Sequence, residues 1–149
     1  IQVSGPSVML GYWKDKKSTD KALKFRDNRI WYLTGDKGEI EDGYLYYKGR
    51  ISENYKLSNG KFVSVENLEN KISKIINNNF IVFGENMDFN CIITDKDINQ
   101  TDLDKINNEI DSYLKIRKVY TINNNEWCNF LTPKMSIKRK KLIEYVLRK

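Results

Sequence analysis

A chain of 149 residues suffices for one compact domain, or for a small domain carrying part of another, and not for a large substrate pocket with its own lid. No apolar run approaches the roughly 20 residues that would cross a bilayer, so neither a membrane span nor a signal peptide is predicted. There is no histidine, and Cys91 and Cys128 lack metal-ligand spacing, which excludes zinc and histidine-based catalysis. Both cysteines are expected to be buried free thiols of a cytoplasmic protein. The net charge of +6 is concentrated at the end, in Lys134, Lys138, Arg139, Lys140, Lys141, Arg148 and Lys149. Such a block attracts polyanions, and charge alone leaves nucleic acid, an anionic membrane surface and a phosphorylated substrate open.

The chain opens on Ile1-Gln2-Val3-Ser4-Gly5-Pro6, with no initiator methionine and strand-like alternation already under way, and is read as part of something longer. As far as Tyr47, glycines punctuate short β-rich stretches, among them Ile30 to Leu33 and Tyr44 to Tyr47, as in a small antiparallel sheet. Ser18-Thr19-Asp20 before Lys21-Ala22-Leu23 predicts a short helix. After Gly49-Arg50 come two strands joined at Gly60, a helix over Val65 to Ile76, and strands around Phe80 to Phe83 and Phe89 to Thr94. Thr101-Asp102 then opens a helix carrying Leu103, Ile106, Ile110 and Leu114 on one side, Lys118 to Ile122 is a strand, and a basic helix spans Ile137 to Leu147. That alternation predicts a small α+β domain, with residues 1–49 belonging to a different, β-rich domain and residues 50–149 forming the small one.

Four stretches could carry chemistry. Trp31-Tyr32-Leu33-Thr34-Gly35-Asp36 runs a strand into a turn, where a carboxylate could take both hydroxyls of a ribose, or could simply be solvated. Gly49-Arg50 to Gly60-Lys61 reads as a charged linker followed by a hairpin turn at Asn59-Gly60. Leu131-Thr132-Pro133 to Lys138-Arg139 places lysines at a loop-to-helix junction, from which one could reach a phosphate or merely face water. Gly11-Tyr12-Trp13-Lys14, with Thr19 a few residues on, reads by itself as aromatic packing.

Together and in this order, with Asp42-Gly43-Tyr44-Leu45 between them, these stretches resemble the adenylate-forming superfamily of acyl-CoA synthetases, peptide-synthetase adenylation domains and luciferases. Tyr55 to Lys61 and Leu131-Thr132-Pro133 look most like long-chain fatty acyl-CoA synthetases. The resemblance implies the end of a large N-terminal AMP-binding domain followed by a small mobile C-terminal lid, with the hinge near residues 50–53. It implies that Asp36 and Arg50 hold the ribose of ATP and then of the acyl adenylate. Asn59, Gly60 and Lys61 would line the pantetheine tunnel, and Lys138 would be the adenylation lysine, with Lys134 and Lys140 as alternatives. The substrates implied are a fatty acid, ATP with Mg2+, and CoA. The phosphate-cradling loop and the Thr-Glu pair for magnesium are expected in the larger domain, so no metal ligand is assigned here, and this fragment alone is expected to be inactive.

Departures from the family pattern are visible too. The hinge position carries Ser52 where Asp or Lys is usual, Val65 and Asn67 replace a Pro and a Glu while Glu69 is kept, and Ser136-Ile137-Lys138 stands where a Gly-Lys pair is common. They leave two alternatives: a degenerate relative that binds nucleotide without chemistry, and a noncatalytic basic module acting through residues 134–149. Tyr145 is the only aromatic residue within that basic run, so no nucleic acid partner is expected, and peripheral membrane contact through the basic end stays open.

Overall fold

The computed structural model describes residues 1–149, which divide into two units, Ile1–Glu53 and Asn54–Lys149. The first contains β1 (Gln2–Ser4), α1 (Lys16–Ala22), β2 (Leu23–Arg26), β3 (Arg29–Leu33), β4 (Asp36–Glu41) and β5 (Tyr44–Arg50). Strands β1, β3 and β2 form an antiparallel sheet in that order, and β4 pairs with β5. Both hairpins turn on two residues with positive φ, Asp27-Asn28 (53° and 59°) and Asp42-Gly43 (50° and 82°). This is the type I′ geometry whose twist matches that of the flanking strands.

Helix α1 begins earlier than the sequence suggests. The Asp15 carboxylate accepts from Ser18 N, so Asp15 is the cap, and Ser18, Thr19 and Asp20 lie inside the helix. Leu23, expected in the helix, leaves with an extended backbone to pair with Tyr32.

The second unit contains β6 (Tyr55–Lys56), β7 (Phe62–Val63), α2 (Val65–Ile72), β8 (Phe80–Phe83), β9 (Asn90–Thr94), α3 (Gln100–Glu109), β10 (Ile116–Thr121), α4 (Asn124–Cys128) and α5 (Arg139–Arg148). Its main sheet has the order β10-β9-β8, with β9 antiparallel to β8 and parallel to β10, so β8 is an edge strand and α3 lies on the β9-to-β10 crossover. Alternation along the strands feeds two cores. Val82, Ile92 and Ile116 join Leu68 and Ile72 of α2 and Ile106 of α3, while Ile81, Phe83, Cys91 and Ile93 join Trp127 of α4 and Leu142 and Val146 of α5. Because both faces of the sheet are covered, all five residues of β9 are buried. Each large side chain so buried contributes about 1.5–3 kcal/mol.

Two polar residues of β9, Asn90 and Thr94, lie fully inside. Asn90, fully buried, accepts from the Tyr55 hydroxyl at 2.6 Å and donates to Leu114 O at 2.9 Å, so its burial is compensated by hydrogen bonds. Desolvation pushes the Tyr55 phenol far above its ordinary pKa, which keeps that donor protonated.

Element ends differ in places from the sequence reading. Helix α2 stops at Ile72 rather than Ile76, because Ile75 N tightens onto Ile72 O at 2.9 Å, which still leaves Ile76 buried. Asn99 rather than Thr101 caps α3, and Ile110 and Leu114 lie beyond the end of that helix. Helix α5 starts at Arg139. Both thiols are free, yet Cys128 is exposed and only Cys91 is buried, which corrects the expectation that both are buried. The five-residue helix α4 was not expected. A reciprocal capping box between Asn123 and Glu126 starts it and lets Trp127 reach the core. No helix is long and apolar enough to cross a membrane.

Candidate functional site

In the first unit a cleft of about 880 Å³ is lined by Tyr12, Ser18, Tyr32, Thr34, Asp36 and Arg50 among others, with Ile51 and Ser52 at its end. The strand-to-turn stretch read from the sequence builds its floor. Thr34 Oγ1 accepts from Asp36 N at 3.0 Å, and Gly35 takes φ of +76°, a conformation that favours glycine. Across the β4–β5 pair, Asp36 faces Arg50, whose Nε lies 3.1 Å from Oδ1 and whose Nη1 donates to Thr34 O at 3.2 Å. Ile51 N donates to Gly35 O at 2.9 Å and ties the start of the short turn containing Ser52 to the same corner. Thus Asp36, Arg50 and Ser52 line one cleft.

The Gly11-Tyr12 stretch forms its rim. Tyr12 N donates to Thr19 Oγ1 at 2.9 Å, and that hydroxyl donates to Asp15 O at 2.8 Å. A β-carbon on Gly11 would come within 2.9 Å of Thr19 Cγ2, so this close approach requires glycine. A hydrogen bond with Tyr32 holds the Tyr12 phenol above its ordinary pKa.

The other two motif stretches lie in the second unit, at separate places. The β6–β7 turn holds Gly60 at φ of +79° with nothing near its absent side chain, and Asn59 Oδ1 accepts from Lys61 N at 3.0 Å. The turn is docked through Ser58, which donates from N to Met87 O at 2.9 Å and from Oγ to Asp88, and Lys61 lies over the Tyr113 ring at 4.9 Å.

Residues 131–138 form a closed turn. Leu131 bridges Ile137, Thr132 N donates to Ser136 O at 2.8 Å, and the Thr132 and Ser136 hydroxyls are 2.7 Å apart. Lys138 follows as the N-cap residue of α5, its own N donating to Phe130 O at 2.7 Å, while Lys134 and Lys140 are exposed. The left-handed residue of this turn is Met135, at φ of +61°. Glycine is what that conformation favours, so Met135 occupies a backbone position better suited to glycine.

Arg139 does not belong to the free basic block. It forms a two-pronged ion pair with Glu69, Nη2 to Oε1 at 2.7 Å and Nη1 to Oε2 at 3.2 Å, with both side chains mostly buried. Nothing in the sequence links these residues, 70 positions apart. Lys149 is also paired, with Glu126 at 2.6 Å. Nowhere do three Cys, Asp or Glu side chains converge as a metal site.

No family model matches the chain. Over 72 residues, 48% of its length, it is 40% identical to a D-alanine–D-alanyl carrier protein ligase of Staphylococcus epidermidis, and 38% identical over 72 residues to the ligase of that name from Bacillus anthracis. The matched segments are only 15% and 14% of those proteins. Among solved structures, the A domain of a carboxylic acid reductase from Segniliparus rugosus, in complex with AMP and a co-purified carboxylic acid, matches with a TM-score of 0.76 at 21% identity, over 99% of this chain and 27% of that one. The anthranilate CoA ligase AuaEII in complex with anthranoyl-AMP matches with a TM-score of 0.69 at 18% identity, over 98% and 30%. The chain thus shares the fold of these adenylating enzymes and, over about half of its length, sequence similarity with the ligases.

Proposed function

We propose that the chain is the ribose-binding edge and lid of an ATP-dependent acid–thiol ligase that activates a long-chain fatty acid as acyl-AMP and passes the acyl group to CoA. The observation that carries this reading is the Asp36–Arg50 pair on the cleft floor. Arg50 engages Oδ1 and the backbone of Thr34, which fixes the carboxylate, and a fixed carboxylate can accept from two ribose hydroxyls. In the first half-reaction the fatty acid carboxylate attacks the α-phosphorus, and the bond to the bridging oxygen breaks with departure of pyrophosphate. Lys138 would neutralise charge on the carboxylate and the α-phosphate. In the second, the CoA thiolate attacks the acyl carbon and AMP leaves, with the Asn59-Gly60-Lys61 turn lining the thiol's path after the second unit swings about Ser52.

The assay is ATP–pyrophosphate exchange with palmitate on the full-length protein. Asp36→Ala is expected to lower exchange about tenfold or more through loss of hydrogen bonds to a charged group, and Lys138→Ala to abolish it. Absence of exchange with every acid tried would sink the reading. Exchange with an amino acid instead would replace the fatty acid, and the similarity to D-alanine–carrier protein ligases would then favour a carrier-bound pantetheine as acceptor.

The departure at Ser136-Ile137-Lys138 favours a second reading. If the adenylation lysine belongs at the Ser136 position, the chain binds nucleotide without adenylating. AMP binding that Asp36→Ala abolishes, in a wild-type protein without exchange, would establish it.

A further inference from the structure

Lys138, the N-cap residue of α5, makes no side-chain cap, so the helix start needs another anchor. Arg139 supplies it: alone among Lys138, Arg139, Lys140 and Lys141 it is committed to a carboxylate. The Glu69 carboxylate that meets the guanidinium also accepts from Val82 N through Oε1 at 2.8 Å, and Arg139 Nη2 donates to Val82 O at 2.8 Å. Glu69 of α2, Val82 of β8 and Arg139 of α5 therefore form a closed ring that satisfies both polar backbone groups of one residue. A lysine could not keep both prongs, and a glutamine would keep the shape but lose the charge.

We infer that Glu69 and Arg139 are a positioning pair that fixes the start of α5, and with it the adjoining Lys138, for the adenylation half-reaction. This rests on the adenylation reading above. The geometry carries it: a side chain projecting from the helix start moves with that start, and misplacement of a catalytic group by about 1 Å costs about 100-fold. The Asn59-Gly60-Lys61 turn is anchored independently, on Met87 and Asp88. Loosening the ring should thus impair one half-reaction and spare the other.

The test uses Glu69→Gln and Arg139→Lys in the full-length protein, with Lys138→Ala as reference. Exchange should fall about 10- to 100-fold in kcat in each, with KM for ATP little changed, while thioester formation from pre-made palmitoyl-AMP stays within about twofold of wild type. The double variant should be no worse than the weaker single, because either change opens the same ring. Thermal melts separate misfolding from misplacement, and Arg139→Lys serves where Glu69→Gln does not fold. A parallel fall in both half-reactions, or no fall in either, overturns the positioning role. A wild-type protein without exchange, or full exchange in Lys138→Ala, overturns the adenylation reading instead.

Discussion

Every buried large hydrophobic residue lies between Tyr55 and Val146, whereas Leu10, Trp13, Phe25, Ile40, Tyr44 and Leu45 of the first unit stand in solvent. The second unit is held by two cores on the faces of one sheet; the first is held by backbone ladders and type I′ turns. Ladder hydrogen bonds contribute only about 1 kcal/mol each net, and such small sheets seldom persist without a buried face. Regular secondary structure and independent stability are thus separate properties, and this chain displays them in adjacent segments.

The sharpest way to break the comparison is to cut between the units. Residues 54–149 alone should melt cooperatively, and residues 1–53 alone should give the amide spectrum of an unfolded peptide; dispersed resonances from the shorter piece would refute the contrast. Next in size are point substitutions followed through the denaturant transition of the whole chain. Leu142→Ala should cost about 2–5 kcal/mol through the cavity it leaves, and Phe25→Ala, at a side chain 74% exposed, within about 0.5 kcal/mol.

Acid offers a smaller effect confined to the second unit. The Glu126 carboxyl is pushed down to about 2 by hydrogen bonds from Lys149, Tyr145 and the Asn123 backbone. Since the folded pKa lies below the ordinary 4.5, the contribution is present above pH 4.5 and is lost as pH falls toward 2. Glu126→Gln should flatten stability across that window in acid titrations followed by circular dichroism. Smallest is a labelling contrast that reports whether the core stays closed. Exposed Cys128 should react with a maleimide at neutral pH while Cys91, buried and with its thiol pushed up to about 11, reacts only on unfolding; equal rates would mean an open core.

Much of the second unit was legible because its periodicities are local. Val65, Leu68 and Ile72 mark one helical face, and Asn59-Gly60 marks a hairpin. Asp27-Asn28 carries the same turn chemistry as Asp42-Gly43 without a glycine, and with that turn unread Leu23 was assigned to a helix rather than to β2. The short α4 announced itself only by Asn123 and Glu126, a signal as brief as the helix. At the candidate site the residue types of the Thr34-Gly35-Asp36 turn were readable, whereas its pairing with Arg50 depends on a register the sequence does not spell out. The Glu69–Arg139 contact had no local signature at all, since it exists only after α2, β8 and α5 have met.

That contact has a consequence beyond the helix it anchors. Strand β8 is an outer strand, and outer strands offer backbone groups to any extended chain that drifts alongside. At Val82 both groups are already occupied by side chains of the same molecule, so an incoming strand would have to displace an ion pair before it could form its first two bonds. The ring is thereby a guard against intermolecular sheet growth, and its loss should appear as aggregation on heating.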